Sequence, residues 1–128
     1  MTENELSFEI IGAAIEVHRI LGSELLESAY EECLCYELRQ KGFHIDQQLW
    51  LPLHYKDVIV KESMYRLDIW VERKVIVDVK SVEQIPPVHF KQVRSYLQLT
   101  VSKLGLLLNF NVPVLKDGIH RIVLGLEE

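Results

Sequence analysis

The sequence predicts an α/β or α+β fold in which a mixed β-sheet is flanked by helices. Three observations point there. The first forty residues carry two apolar stripes of helical period. Alternating and continuous apolar runs of strand type follow. A third helical stripe then separates the last two strand-like runs from the earlier ones. The expected order is ααβββαββ, in a single domain over residues 1–128.

Taken in order, Thr2 and Glu5 have the spacing of a capping box. Leu6, Ile10, Ala14, Val17 and Leu21 continue as a helical stripe, and Gly22 is a natural stop. Ser23 is positioned to cap a second helix with Leu26, Ala29, Tyr30, Cys33, Leu34 and Leu38 inward, closed by Lys41–Gly42. Alternation then runs from Phe43 to Tyr55, with Pro52 marking an edge or a break. Strand-like residues return at Val58–Val60, at Met64–Val71 and at Val75–Lys80, the last two joined by the polar turn Glu72-Arg73-Lys74. Pro86 and Pro87 suit the first turn of a third helix, with Phe90, Val93, Leu97 and Val101 as its buried stripe. The apolar run GLLLNFNV, within 103–112, reads as a strand covered on both faces. Asp117–Gly118 marks a turn before a last strand over 119–126.

Composition narrows the function classes. A chain of 128 residues with 48% hydrophobic and 26% charged residues can bury a core without disulfides or a structural metal. Cys33 and Cys35 point to different faces of a helix and read as reduced thiols, which suggests a cytoplasmic setting. No apolar run reaches the roughly 18 residues of a membrane span. The N-terminus is acidic and unlike a signal peptide. A net charge of -5 argues against coating nucleic acid by bulk charge, but not against a local basic groove or an acidic site completed by cations.

The informative stretch is YRLDIWVERKVIVDVKS, from Tyr65 to Ser81. As a hairpin looped at 72–74, it sets Val71 against Val75, Ile69 against Val77, Asp68 against Asp78 and Arg66 against Lys80. Lys80 then lies beside Asp78 on one face. Leu67, Ile69, Val71, Val75, Val77 and Val79 form the other, and their burial fixes the register. Two aspartates directly across from each other repel and need compensation. A divalent cation can supply it, because Mg²⁺ takes oxygen ligands and keeps several waters. Lys80 could instead pair with one carboxylate, or both aspartates could be solvated charges on an open face.

The pattern Asp68, the nine residues 69–77, then Asp78-Val79-Lys80 resembles the PD-(D/E)XK nuclease superfamily. ELLESAYEECL, the Gly42–Gln48 stretch, YRLDIWVE, VIVDVKSVE and GLLLNFNV resemble the small family named GxxExxY after its motif, over nearly the whole chain. The resemblance implies a restriction-endonuclease-like mixed sheet flanked by helices. It implies metal binding by Asp68 and Asp78, with the backbone carbonyl of Val79 as a further ligand. Lys80 would sit beside the attacking water, and Glu27 would approach the same metal from the second helix. Mg²⁺ is the implied cofactor, with Mn²⁺ as a substitute. Gln92-Val-Arg-Ser-Tyr96 resembles the Q-x-x-x-Y element of RecB-like exonucleases, which adds Gln92 and Tyr96. Two positions depart from the pattern. Glu24 stands where the motif has glycine, which makes it a rival to Glu27, and Leu67 stands where proline precedes the first aspartate.

Such a site would hydrolyse phosphodiesters. A cation held by Asp68 and Asp78 would lower the pKa of its water and polarise a phosphoryl oxygen. Lys80 would orient the hydroxide or stabilise the negative transition state. On the third helix His89, Gln92 and Tyr96 share one face, which is either part of the site or the half-buried side of an amphipathic helix. Glu27 could equally be an ordinary surface carboxylate, Tyr30 reads as packing, and His18 as a group at a helix end. Lys56, Lys61, Arg66, Lys91 and Arg94 would give positive charge for a phosphate backbone, or are scattered surface cations. The leading expectation is a metal-dependent nuclease with nucleic acid as partner, DNA ahead of RNA. The alternative is a nucleic-acid- or protein-binding module with the nuclease fold and little or no activity. A sheet edge could also pair with a second copy to give a homodimer.

Overall fold

The computed structural model describes residues 1–127 and contains a five-stranded mixed sheet flanked by three helices. The elements are α1 (Glu3–Leu21), α2 (Glu27–Gln40), β1 (Ile45–Tyr55), β2 (Val58–Val71), β3 (Val75–Lys80), α3 (Pro87–Thr100), β4 (Leu104–Asn109) and β5 (Ile119–Val123). A short 3₁₀ turn, Leu115–Gly118, precedes β5. The strands lie in the order β1-β2-β3-β4-β5, and all pairs are antiparallel except β3 with β4. That parallel pair is joined through α3, the helical crossover that parallel neighbours require. The sequence order ααβββαββ is therefore the observed one.

Each side of the sheet has its own apolar cluster. Ile69, Val71, Val75, Val77 and Val79 pack with Leu104, Leu106 and Leu108 against Leu6, Ile10, Leu34 and Leu38 of α1 and α2. Trp70, Ile76, Leu107 and Ile122 pack with Val93, Tyr96 and Leu97 of α3. β3 and β4 are covered on both faces, which explains their near-continuous apolar sequence. Gly105 lets α3 approach, since a Cβ there would lie 2.7 Å from Cγ1 of Val93.

The local signals hold at α1, where Thr2 and Glu5 form the reciprocal capping box. They fail at α2. That helix starts at Glu27 behind Leu26, which makes no side-chain cap and is 80% exposed, so Ser23 is not the cap and Leu26 is not inward. The entry is held instead by Tyr30, whose hydroxyl donates to the Gly22 carbonyl at 2.6 Å and accepts from Leu25 N–H at 3.1 Å. The Tyr30 ring stacks on Phe110 at 4.4 Å. β2 runs unbroken from Val58 to Val71, without the interruption expected around 61–63. Pro52 sits at a register shift between β1 and β2. Val101 leaves the α3 stripe, because it closes the helix in the left-handed conformation (φ 54) and is 90% exposed.

Candidate active site

The site begins where β2 and β3 part. Their ladder contains Val71–Val75, Trp70–Ile76 and Ile69–Val77, as the hairpin reading predicts, and stops there. The expected cross-strand pairs Asp68–Asp78 and Arg66–Lys80 are not formed. β2 continues on β1 and β3 continues on β4, so the strands diverge and open a wedge between them. Asp68 closes its apex with a side chain: Oδ2 accepts the Val79 N–H at 2.9 Å. The alternation of β2 also breaks at this point. Leu67 packs on the α3 side with Trp70 and Ile76, not with Ile69 and Val71 as parity predicts. Opposite Asp68, Gln48 of β1 takes a left-handed conformation (φ 52) and drops out of the ladder.

The two carboxyl groups meet even without a regular pair. Asp78 is 5% exposed. Its burial, and next the adjoining Asp68 carboxyl, push its pKa up to about 8, against the pull of Lys80. Lys80 Nζ stands 3.3 Å from Asp78 Oδ2. That geometry is an ion pair without hydrogen-bond alignment, and Oδ2 accepts no hydrogen bond among the described residues. A buried carboxylate oxygen in that condition is costly and marks a place for another donor or a cation.

A cleft of about 440 Å³ opens over these groups. Asp68, Asp78, Lys80, Glu27, Gln92 and Tyr96 all line it. Glu27 Oε1 accepts the Ser81 N–H at 3.3 Å, which ties the start of α2 to the segment leaving β3. Tyr96 is nearly buried, with its ring edge-on to Tyr65 at 6.4 Å. Burial, then the charges of Asp78 and Asp68, hold its phenol above the usual range. Val79 sends its side chain into the opposite core and its N–H to Asp68, so its peptide is fixed beside both carboxylates.

The other candidates fall outside. Glu24 is exposed and is not among the residues lining the cleft. His89 lies at its edge, where burial and Lys80 lower its pKa against Glu27, and its Nδ1 has no partner among the described residues. His18 is remote: its Nε2 meets the Val112 carbonyl at 2.8 Å. Of the surface cations named from sequence, Arg66 lines the cleft, whereas Lys91 and Arg94 line a separate hollow with Phe90 and Arg121. Cys33 and Cys35 are free thiols, and burial pushes Cys35 up to about 12, which makes it inert.

Three supporting residues escaped sequence reasoning. Glu31, one turn beyond Glu27, is buried and accepts from Nε2 of Gln47 at 2.8 Å and of Gln48 at 2.7 and 2.8 Å. Gln48 Nε2 also reaches Asp68 Oδ1 at 3.4 Å, so α2 and β1 together hold the first aspartate. Asn109, at the end of β4 beside Lys80, accepts from Val82 N–H at 3.1 Å and donates to its carbonyl at 2.9 Å. The i,i+4 spacing of Glu27 and Glu31 was a usable signal; nothing local marked Gln48 or Asn109.

The donor set fits a hard cation. Among the described residues no three His, Cys, Asp or Glu side chains converge on one point, so an all-protein cage is absent. Two carboxylates with one unpartnered oxygen suit an ion that keeps most of its water, as Mg²⁺ does. Among the described residues no helix is long and apolar enough to cross a membrane.

Comparison with curated proteins and with solved structures yields no match. A family model described as the PD-(D/E)XK nuclease superfamily matches residues 4–122, from the first turn of α1 to the penultimate residue of β5. With that match over nearly the whole fold, the chain belongs to the PD-(D/E)XK nuclease superfamily.

Proposed function

We propose that the chain is a metal-dependent nuclease that hydrolyses phosphodiester bonds of nucleic acid, DNA ahead of RNA, with Asp68, Asp78, Lys80, Glu27, Gln92 and Tyr96 as its working groups. The observation that carries this reading is the buried, unbonded Oδ2 of Asp78 facing a second carboxyl and an ammonium in one cleft. Asp68 and Asp78 would hold the ion, with the Val79 carbonyl as a further ligand and Glu27 reaching it through a bound water. Mg²⁺ is the expected ion and Mn²⁺ its substitute. Bound there, such an ion supplies Lewis acidity toward a phosphoryl oxygen and toward water.

The protein groups do the rest. Lys80 places a positive charge 3.3 Å from Asp78, where it can bind a nonbridging phosphoryl oxygen and offset the charge that grows in the transition state. It donates hydrogen bonds and does not act as a base while protonated. Gln92 and Tyr96 project from α3 at the opposite wall and can orient a phosphate or the attacking water. The Val79 N–H keeps Asp68 aimed inward. The likeness of ELLESAYEECL and its companion stretches to the GxxExxY family supports the same reading. The free thiols accord with a cytoplasmic setting.

The test is incubation with single- and double-stranded DNA and RNA in Mg²⁺, Mn²⁺ or EDTA. Cleavage is expected with the ions and not with EDTA. Asp78→Ala should lower it on the order of a thousandfold, and the isosteric Asp78→Asn should behave alike while its melt shows a folded chain. Cleavage that survives EDTA or Asp78→Ala would overturn the proposal. Salt-sensitive binding without cleavage would make the chain a binding module on the same fold.

A further inference from the structure

We infer that Trp50 and Arg66 form a stacking platform for one unpaired nucleobase at the mouth of the carboxylate cleft, so that the chain takes single-stranded nucleic acid in preference to duplex. This rests on the nuclease reading for what happens to the neighbouring phosphate, but not for the binding itself.

Trp50 and Arg66 are cross-strand partners on β1 and β2. The Arg66 guanidinium lies over the indole, 5.4 Å from the ring centroid. Trp50 remains 51% exposed, whereas Trp70, further along β2, is 8% exposed within the α3 cluster. Both partners line the cleft that holds Asp68 and Asp78. Arg66 lies two residues before Asp68 on the same strand, so the platform and the first carboxylate are successive features of β2.

The chemistry of that pair selects its ligand. A large ring held flat in solvent beside a cation offers a π-face for a base and charge for the adjoining phosphate. Such stacking is tolerant of sequence because every base has a π-face. A base inside a duplex is already stacked on both sides and must be extruded first. The cleft of about 440 Å³ has room for one nucleotide beside the platform.

The experiment uses the intact chain in EDTA, where no cutting is expected, with a ten-residue oligothymidylate, a ten-residue oligouridylate and a blunt DNA duplex. Anisotropy of dye-labelled oligonucleotides reads binding in every variant, and tryptophan fluorescence reads stacking in the unaltered chain, whose two tryptophans are Trp50 and Trp70. The single strands should quench that fluorescence and bind more tightly than the duplex by tenfold or more. The two oligonucleotides together tell whether the sugar matters. Trp50→Ala should weaken single-strand binding about 5- to 150-fold, the loss of one base–aromatic stack. Trp50→Phe, which keeps an aromatic face, should lose less. Equal binding of duplex and single strand, binding of neither, or an unchanged Trp50→Ala would each overturn the inference. The nuclease reading is judged separately, by cleavage in Mn²⁺ with and without Asp78→Ala. Quenching without any cleavage would leave the platform standing and remove the nuclease.

Discussion

The two faces of the β2–β3 hairpin are built to opposite ends. Toward α1 and α2 it presents Ile69, Val71, Val75, Val77 and Val79, all within one apolar cluster. Toward α3 it presents Trp70 and Ile76, and then the apolar surface gives way to the two aspartates. The first face is satisfied by packing alone, each fully buried branched side chain contributing roughly 1.5–3 kcal/mol. The second ends in a buried carboxyl whose oxygen lacks a hydrogen bond. One face therefore holds the strands in register, and the other uses that rigidity to keep two carboxyl groups together. Stability and the proposed chemistry are therefore separable by side of the sheet, and variants can test the separation.

The largest expected effect is on the packed face. Leu34→Ala, in α2 and fully buried against the sheet, should lower stability by about 2–5 kcal/mol. Denaturant unfolding measures it, and addition of Mn²⁺ should stabilise this variant as much as it does the unaltered chain. Next comes the charge on the other face. Asp78 has a folded pKa of about 8, above its unfolded value of 3.8. Its proton is retained in the folded chain at pH values where the unfolded chain has lost it. Its contribution to stability is therefore intact below about pH 4 and is lost as pH rises toward 8. The loss should be on the order of a few kcal/mol without added metal. Asp78→Asn, which cannot ionise, should show a flatter stability profile than the unaltered chain between pH 4 and 8.5. Equal slopes would place the charge of Asp78 in solvent. The smallest effect is expected at Gln48→Asn. Asparagine tolerates the left-handed backbone (φ 52) but is too short to bridge Glu31 and Asp68, and roughly 1 kcal/mol should be lost. Cleavage should fall only a few-fold, because the Val79 N–H still holds Asp68.

The two faces also differ in how legible they were. The apolar alternation of Val75–Lys80 and the polar turn at 72–74 fix the register near the loop, and the structure keeps it through Ile69–Val77. Beyond that point local pattern stops being sufficient. From there β2 pairs only with β1, where Gln48 leaves the ladder with φ 52, and no spacing within 65–81 encodes that. Hence parity alone points Leu67 to the α1–α2 side, whereas it packs on the α3 side, and Asp68 and Asp78 still come together. Motif likeness located Glu27, Gln92 and Tyr96, and all three line the same cleft. It could not find Glu31, Gln48 or Asn109, whose roles arise only when α2, β1 and β4 are docked. At α2 the cap signal of Ser23 lost to tertiary contacts of Tyr30.

The proposed nuclease needs a divalent cation to complete the carboxyl pair at the head of the β2–β3 wedge. Isothermal titration of the metal-free chain with Mn²⁺ at pH 7, in two buffers of different ionisation heat, decides whether one binds. Saturable binding that releases protons is expected, because the ion would displace the one Asp78 retains at that pH, with loss of both signals in Asp78→Asn. Binding of equal strength in Asp78→Asn, or no binding at millimolar Mn²⁺, would contradict it.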